Sequence, residues 1–218
     1  MATATLTINS RNYGAWSLRG WLLCKFSGIE FEEQVVAHDD PDTRAELLML
    51  SSSFRVPRLE FGTFYVWDTL AIGEFLHERF PKARLLPEEA GMRSHCRSIS
   101  GEMHAGFANL RAGLPMNIRA RYKDYPVWAG VQADIDRIIE VWHGALTQWG
   151  GPYLIGDHLT MADAMYAPVC TRFRTYDVKL EGAVADYCAR ILALPEMQEW
   201  EHKALEEPEE MEELDVEF

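Results

Sequence analysis

The first eighty residues switch repeatedly between a two-residue and a 3.6-residue apolar rhythm, and after Pro87 only the second survives. That change predicts a small mixed α/β unit followed by an all-helical one. Thr3 to Asn9 alternates apolar and polar residues and reads as a strand; Ser10 to Ala15 is a polar turn. Trp16 to Phe26 is apolar at helical spacing, with Gly28 placed to end it. Phe31 to Ala37 reads as a second strand, and a short helix through Leu50 follows a loop in which Pro41 suits a helix start. Arg58 to Phe61 and Phe64 to Trp67 are strands joined by a Gly62-Thr63 turn, a spacing that predicts an antiparallel hairpin. Thr69 to Phe80 closes the unit as a helix, giving the order β-α-β-α-β-β-α. A strand-helix-strand start favours a parallel crossover.

Residues 81–87 carry two prolines and little periodicity and read as the linker between residues 1–80 and residues 88–205. Beyond it, Ile99, Met103, Phe107, Leu110 and Leu114 fall on one helical face. Val131, Ile135, Ile138, Trp142, Leu146 and Trp149 repeat the pattern. Thr160 to Thr175 and Val184 to Leu194 add two further helices.

The net charge of −13 is unevenly spread. Residues 206–218 hold eight acids and no base, leaving 26 acidic against 21 basic residues, or −5, in the rest. That terminal segment is expected to be a self-repelling acidic tail, dispensable for folding. The balance argues against nucleic acid as a partner. No apolar run approaches the ~20 residues of a membrane helix, and the N-terminus has no secretory pattern, so a cytoplasmic protein is expected. Cys24, Cys96, Cys170 and Cys188 form no CxxC pair and lack metal-ligand spacing. They read as buried free thiols, with no metal site.

Four segments together resemble the cytosolic glutathione transferase family, in its bacterial beta- and zeta-like classes. Leu154-Ile-Gly-Asp-His-Leu-Thr-Met-Ala-Asp163 is similar to the start of that family's core helix. Thr160 and Asp163 there have the spacing of a capping box. Arg55-Val-Pro57 resembles the family's cis-proline turn, Asp68-Thr69 its acidic-plus-hydroxyl pair, and Glu102-Met-His-Ala-Gly-Phe107 a beta-class helix motif. The resemblance implies a thioredoxin-like α/β N-terminal domain with an all-α C-terminal domain, glutathione as co-substrate, a small electrophilic, apolar second substrate, and a homodimer. Detoxification is the biological role it suggests.

The same resemblance implies a division of labour at the site. The backbone of Val56, freed by a cis Pro57, would pair with the cysteinyl part of glutathione. Asp68 would meet the γ-glutamyl amine and Thr69 its carboxylate, at a helix N-terminus that favours an anion. Arg55 would meet the glycyl carboxylate. The thiol needs a donor that lowers its pKa from ~8.5. In Asn12-Tyr-Gly-Ala-Trp-Ser-Leu-Arg19 the zeta-like serine would fall near Gly14 or Ala15, and the beta-class cysteine at Trp16. None of the three carries the required group. Ser17 is the candidate that remains, with Tyr13, Asn12 or a backbone N–H as alternatives. His104 would line the second-substrate pocket and act as an acid. Met103, Phe107 and Met116 could form an apolar wall for the electrophile, with core packing the alternative for two of the three. The missing hydroxyls also admit a second reading, a non-catalytic glutathione-binding or assembly module on the same fold.

Overall fold

A computed structural model describes residues 4–36 and 56–207. Strand β1 (Ala4–Ile8) buries Ala4, Leu6, Thr7 and Ile8, because it lies inside the sheet with helices against it. Helix α1 (Ala15–Ser27) carries the chain across to β2 (Phe31–Val35), which pairs parallel to β1 in the register Ala4↔Phe31 to Ile8↔Val35. Gly28 ends α1 in the left-handed conformation, φ 73°, as its position predicts. β3 (Arg58–Phe61) and β4 (Phe64–Val66) form the expected hairpin, turning at Gly62, φ 63°. β3 pairs antiparallel to β1, giving the strand order β2-β1-β3-β4. Helix α2 (Thr69–Arg79) follows. The short helix expected through Leu50 lies outside the described residues, as does Arg55.

Residues 81–87 are no loose tether. After a 3-10 turn at Pro81–Ala83, Leu85 and Leu86 are fully buried, and the Leu85 carbonyl accepts from Met161 N at 2.8 Å. Here the helical half begins with α3 (Ala90–Ala105) and α4 (Ala108–Gly113). The single helical face expected from Ile99 to Leu114 is therefore broken at Gly106 and Phe107, the latter at φ 62°. The cause is local. Arg111 turns its guanidinium back onto the carbonyls of Met103, His104 and Gly106, satisfying the acceptors that a helix end exposes. All five apolar residues stay buried across the break.

Helix α5 (Ala129–Trp149) matches its periodicity. α6 (Met161–Thr175) starts at the capping box foreseen from sequence: Asp163 accepts from Thr160 N at 2.8 Å and from Thr160 Oγ1 at 3.0 Å. Buried Asp163 also accepts from Leu154 N at 3.1 Å and the Tyr187 hydroxyl at 3.3 Å. Burial raises its pKa, and these donors oppose the rise. α7 (Gly182–Leu192) and α8 (Pro195–Leu205) complete the bundle. α8 was not foreseen; Pro195 at its first turn was the available signal. One continuous apolar core runs through both halves, and α1 sits at its centre against α2, α6 and α8. All four cysteines are buried and unpaired.

Candidate glutathione site

The site lies where the first half's loops face the second half's helices. The Val56–Pro57 bond is cis. Val56 stands just outside the β1–β3 ladder, whose last pair is Thr7↔Arg58. Pro57 is held against α1 because Gly20 has no side chain: a Cβ there would lie 2.6 Å from the proline ring.

Asp68 caps α2, one oxygen accepting from Leu70 N at 2.9 Å and Ala71 N at 3.3 Å. Its other oxygen faces His104 Nε2 at 3.4 Å. The structure thus joins two candidate residues from opposite halves of the chain. Thr69, the first residue of α2, is fully buried, and its hydroxyl has no hydrogen-bond partner among the described residues. A buried orphan hydroxyl beside a half-exposed carboxylate suits the two ends of a zwitterionic α-amino-acid group.

Ser17 is placed differently from the expectation of a free donor. Its hydroxyl is fully buried and donates to Asn9 Oδ1 at 2.6 Å, while accepting from Asn9 N at 3.0 Å. Its one proton is spent. Asn12 is buried too, with Oδ1 accepting from Arg119 N at 3.0 Å. Gly14 stands where it does for a steric reason: any side chain would strike Asn9 Oδ1 and the Ser10 carbonyl. As the N-cap of α1, Gly14 supplies no side-chain cap, and the first turn contains no acid. The α1 N-terminus therefore has neither a capping side chain nor an acid in its own first turn to set against the helix dipole.

Behind this terminus stands Trp16. The Arg19 guanidinium lies 4.5 Å and that of Arg111 4.7 Å from its ring centre, and the His104 ring packs at 5.1 Å. Arg19 is fully buried, its Nε–H donating to the Met165 carbonyl at 2.8 Å while both terminal nitrogens lack partners among the described residues. Nearby Arg172 donates to the Leu114 carbonyl at 2.8 Å. Burial, reinforced by the neighbouring guanidinium charges, draws Arg19 well below the usual range and brings Arg172 to about 9. None of the three arginines forms an ion pair among the described residues. Arg19, set in the apolar run Trp16–Leu23, was the sequence signal for this cluster. Met103, Phe107 and Met116 are all buried in the core instead of forming an open wall. No metal-ligating group of three side chains occurs among the described residues.

The sequence model described as the glutathione S-transferase N-terminal domain matches residues 13–79, and the one for the C-terminal domain matches residues 125–202. Maleylacetoacetate isomerase of Rattus norvegicus is 27% identical over 173 residues, 78% of each chain. A probable maleylacetoacetate isomerase of Vibrio cholerae is 26% identical over 162 residues, 69% of this chain and 73% of that one. Among solved structures, a glutathione transferase homologue from Burkholderia with bound glutathione superposes with a TM-score of 0.71 at 20% identity, covering 95% of this chain and all of that one. The maleylacetoacetate isomerase of Anaeromyxobacter dehalogenans, with dicarboxyethyl glutathione and citrate in its active site, gives 0.68 at 22% identity, covering 94% and 93%. With one domain model falling on each half of the fold and the cis-proline turn, Asp68 and Thr69 in place, this chain belongs to the glutathione S-transferase family.

Proposed function

We propose that the protein is a glutathione-dependent enzyme that attacks a small carboxylate-bearing electrophile, with isomerisation as the leading reaction. The Asp68–Thr69 pair carries this reading. A carboxylate with one oxygen turned to His104, next to a hydroxyl at a helix N-terminus that is unpartnered among the described residues, suits the γ-glutamyl end of glutathione. Val56 would take the cysteinyl backbone and Arg55 the glycyl end. That leaves the thiol near the uncapped start of α1, where backbone N–H groups and the dipole favour thiolate. This assignment replaces the serine hydroxyl, since Ser17 is committed to Asn9. His104, beside Asp68 and Trp16, is placed to orient the second substrate.

The arginines around Trp16 favour an anionic electrophile over the apolar one expected from sequence, because buried guanidinium charge without a carboxylate partner among the described residues attracts one. The isomerase relatives support catalysis over a non-catalytic module. In the proposed reaction the thiolate adds to a conjugated double bond, the resulting single bond rotates, and the thiolate leaves again with no net oxidation. Immobilised glutathione should retain the protein. Turnover should then be faster with an unsaturated cis-carboxylate than with a chlorinated aromatic. Retention without turnover selects a carrier; no retention overturns the assignment. Comparable turnover of the aromatic would support a detoxifying transferase instead.

The reading extends to a cytoplasmic homodimer. Its support is four buried free thiols and an exposed apolar run of Phe64, Tyr65 and Trp67. Light scattering should give twice the 25.0 kDa chain mass, and a monomer at all concentrations would refute the dimer.

A further inference from the structure

The end of α8 reaches back across the whole sequence to the loop before α1. Glu207 Oε2 accepts from the Ser10 hydroxyl at 2.7 Å and from Asn12 N at 3.1 Å, and Oε1 accepts from Arg11 N at 2.7 Å. The Glu207 backbone carbonyl accepts from Arg119 Nη1 at 2.9 Å. Its side chain is only 10% exposed. The Ser10 oxygen in turn accepts from Asn12 N and Tyr13 N, each at 3.1 Å. Trp200 Nε1 donates to the Arg11 carbonyl at 2.9 Å. Consecutive backbone N–H groups converging on one carboxylate form an anion-binding nest, and here the anion comes from the protein's own chain, two residues beyond the end of α8.

This nest occupies residues 10–13, and Gly14 then opens α1. With Arg11 N and Asn12 N turned to Glu207, Tyr13 N to Ser10 Oγ and Gly14 N to the Ser10 carbonyl, the loop's own donors are spent. Ala15 N donates to the Tyr13 carbonyl at 2.9 Å, so what remains for an incoming thiolate is the first turn of α1 beyond Ala15. We propose that Glu207 is a positioning residue for thiol activation: it fixes the loop so that the α1 terminus, and not the nest, meets the glutathione sulfur. This rests on the placement of the thiol given above. Glu207 acts through the loop and need not touch substrate. A loop freed from Glu207 would offer its N–H groups elsewhere and let the α1 terminus drift, and small displacements of a preorganised donor cost rate.

The test is a titration of the glutathione complex from pH 5 to 10, followed by thiolate ultraviolet absorbance, on the full chain and its variants. Glu207→Ala should raise the bound thiol's pKa by about one unit. It should also cut kcat about tenfold at neutral pH and regain much of it at high pH, with the glutathione KM nearly unchanged. Glu207→Gln, which keeps an acceptor for Arg11 N, should fall between parent and Ala. Ser10→Ala, which removes one donor from the other side, should shift the titration in the same direction and serves if Glu207→Ala does not fold. A folded Glu207→Ala or Ser10→Ala variant that titrates with the parent, losing only melting temperature, overturns the proposal and leaves the thiol placement standing. A parent complex whose thiol titrates like free glutathione overturns both.

Discussion

Oδ1 of Asn9 lies 2.6 Å from Oγ of Ser17, and the same oxygen closes off the space that a side chain at residue 14 would need. One amide thus disposes of two positions at which a thiol-activating hydroxyl was sought. It also ties the end of β1 to the first turn of α1, so the hydroxyl at 17 stabilises the connection it lies in. In the proposed function the sulfur would fall to the backbone of α1, whose N-terminus has no side-chain cap.

Ser17→Ala should therefore behave as a core variant. Losing a buried hydroxyl that both donates and accepts strands the Asn9 amide and costs about 1–3 kcal/mol. Denaturant unfolding should show that loss, while the bound thiol should titrate as in the parent. An upward shift of the thiol pKa would restore Ser17 as the activating group.

The cap that Asp68 provides for α2 and its proposed contact with the γ-glutamyl amine are roles that substitution can separate. Asp68→Asn keeps an oxygen for Leu70 N and Ala71 N, so the unliganded melting temperature should change little. Glutathione at ~100 times its dissociation constant stabilises a protein by ~2.7 kcal/mol, and most of that gain should vanish without the carboxylate charge. Asp68→Ala should lose the gain and also ~1 kcal/mol of cap. Equal glutathione stabilisation of parent and Asp68→Asn would refute this γ-glutamyl placement.

The boundary expected at Glu206 cuts through a docked residue. Deleting residues 206–218 removes Glu207 with its three side-chain hydrogen bonds and its ion pair with Arg11, whereas deleting residues 208–218 keeps them. The longer deletion should melt several degrees below the shorter one. Coincident melting curves would show that the nest gains nothing from the carboxylate.

Acid should weaken the seam between α8 and β2. Burial alone would raise the Glu33 carboxyl, but hydrogen bonds from Lys203, Arg11 and Trp21 outweigh it and hold the pKa at about 2. The unfolded value is ~4.3, so the folded state binds its proton less readily. The contribution is fully present above ~pH 5 and is lost as pH falls through the folded pKa. The melting temperature of the parent should fall more steeply between pH 5 and 2 than that of Glu33→Gln. Parallel curves would argue against the network.

What the sequence disclosed was chemistry that is local along the chain. Thr160 and Asp163 are three residues apart, and their reciprocal bonds follow from spacing alone. The hairpin at Gly62 and the stop at Gly28 are equally local. The break at Gly106 was hidden because it depends on Arg111 folding back, and the apolar pattern runs through it undisturbed. Ser17 was recognisable as a hydroxyl near a helix start; that Asn9 consumes it is a fact of three-dimensional packing. Glu207 looked like any of eight acids, and only the meeting of residues almost two hundred apart distinguishes it.

The burial of Leu85 and Leu86, with Met161 N bonded to the Leu85 carbonyl, bears on how the protein comes apart. A segment that reads as a connector contributes side chains to a core shared by both halves. Neither half keeps a complete apolar interior without the other, so heat should melt the chain in one cooperative transition, with calorimetric and van't Hoff enthalpies in agreement.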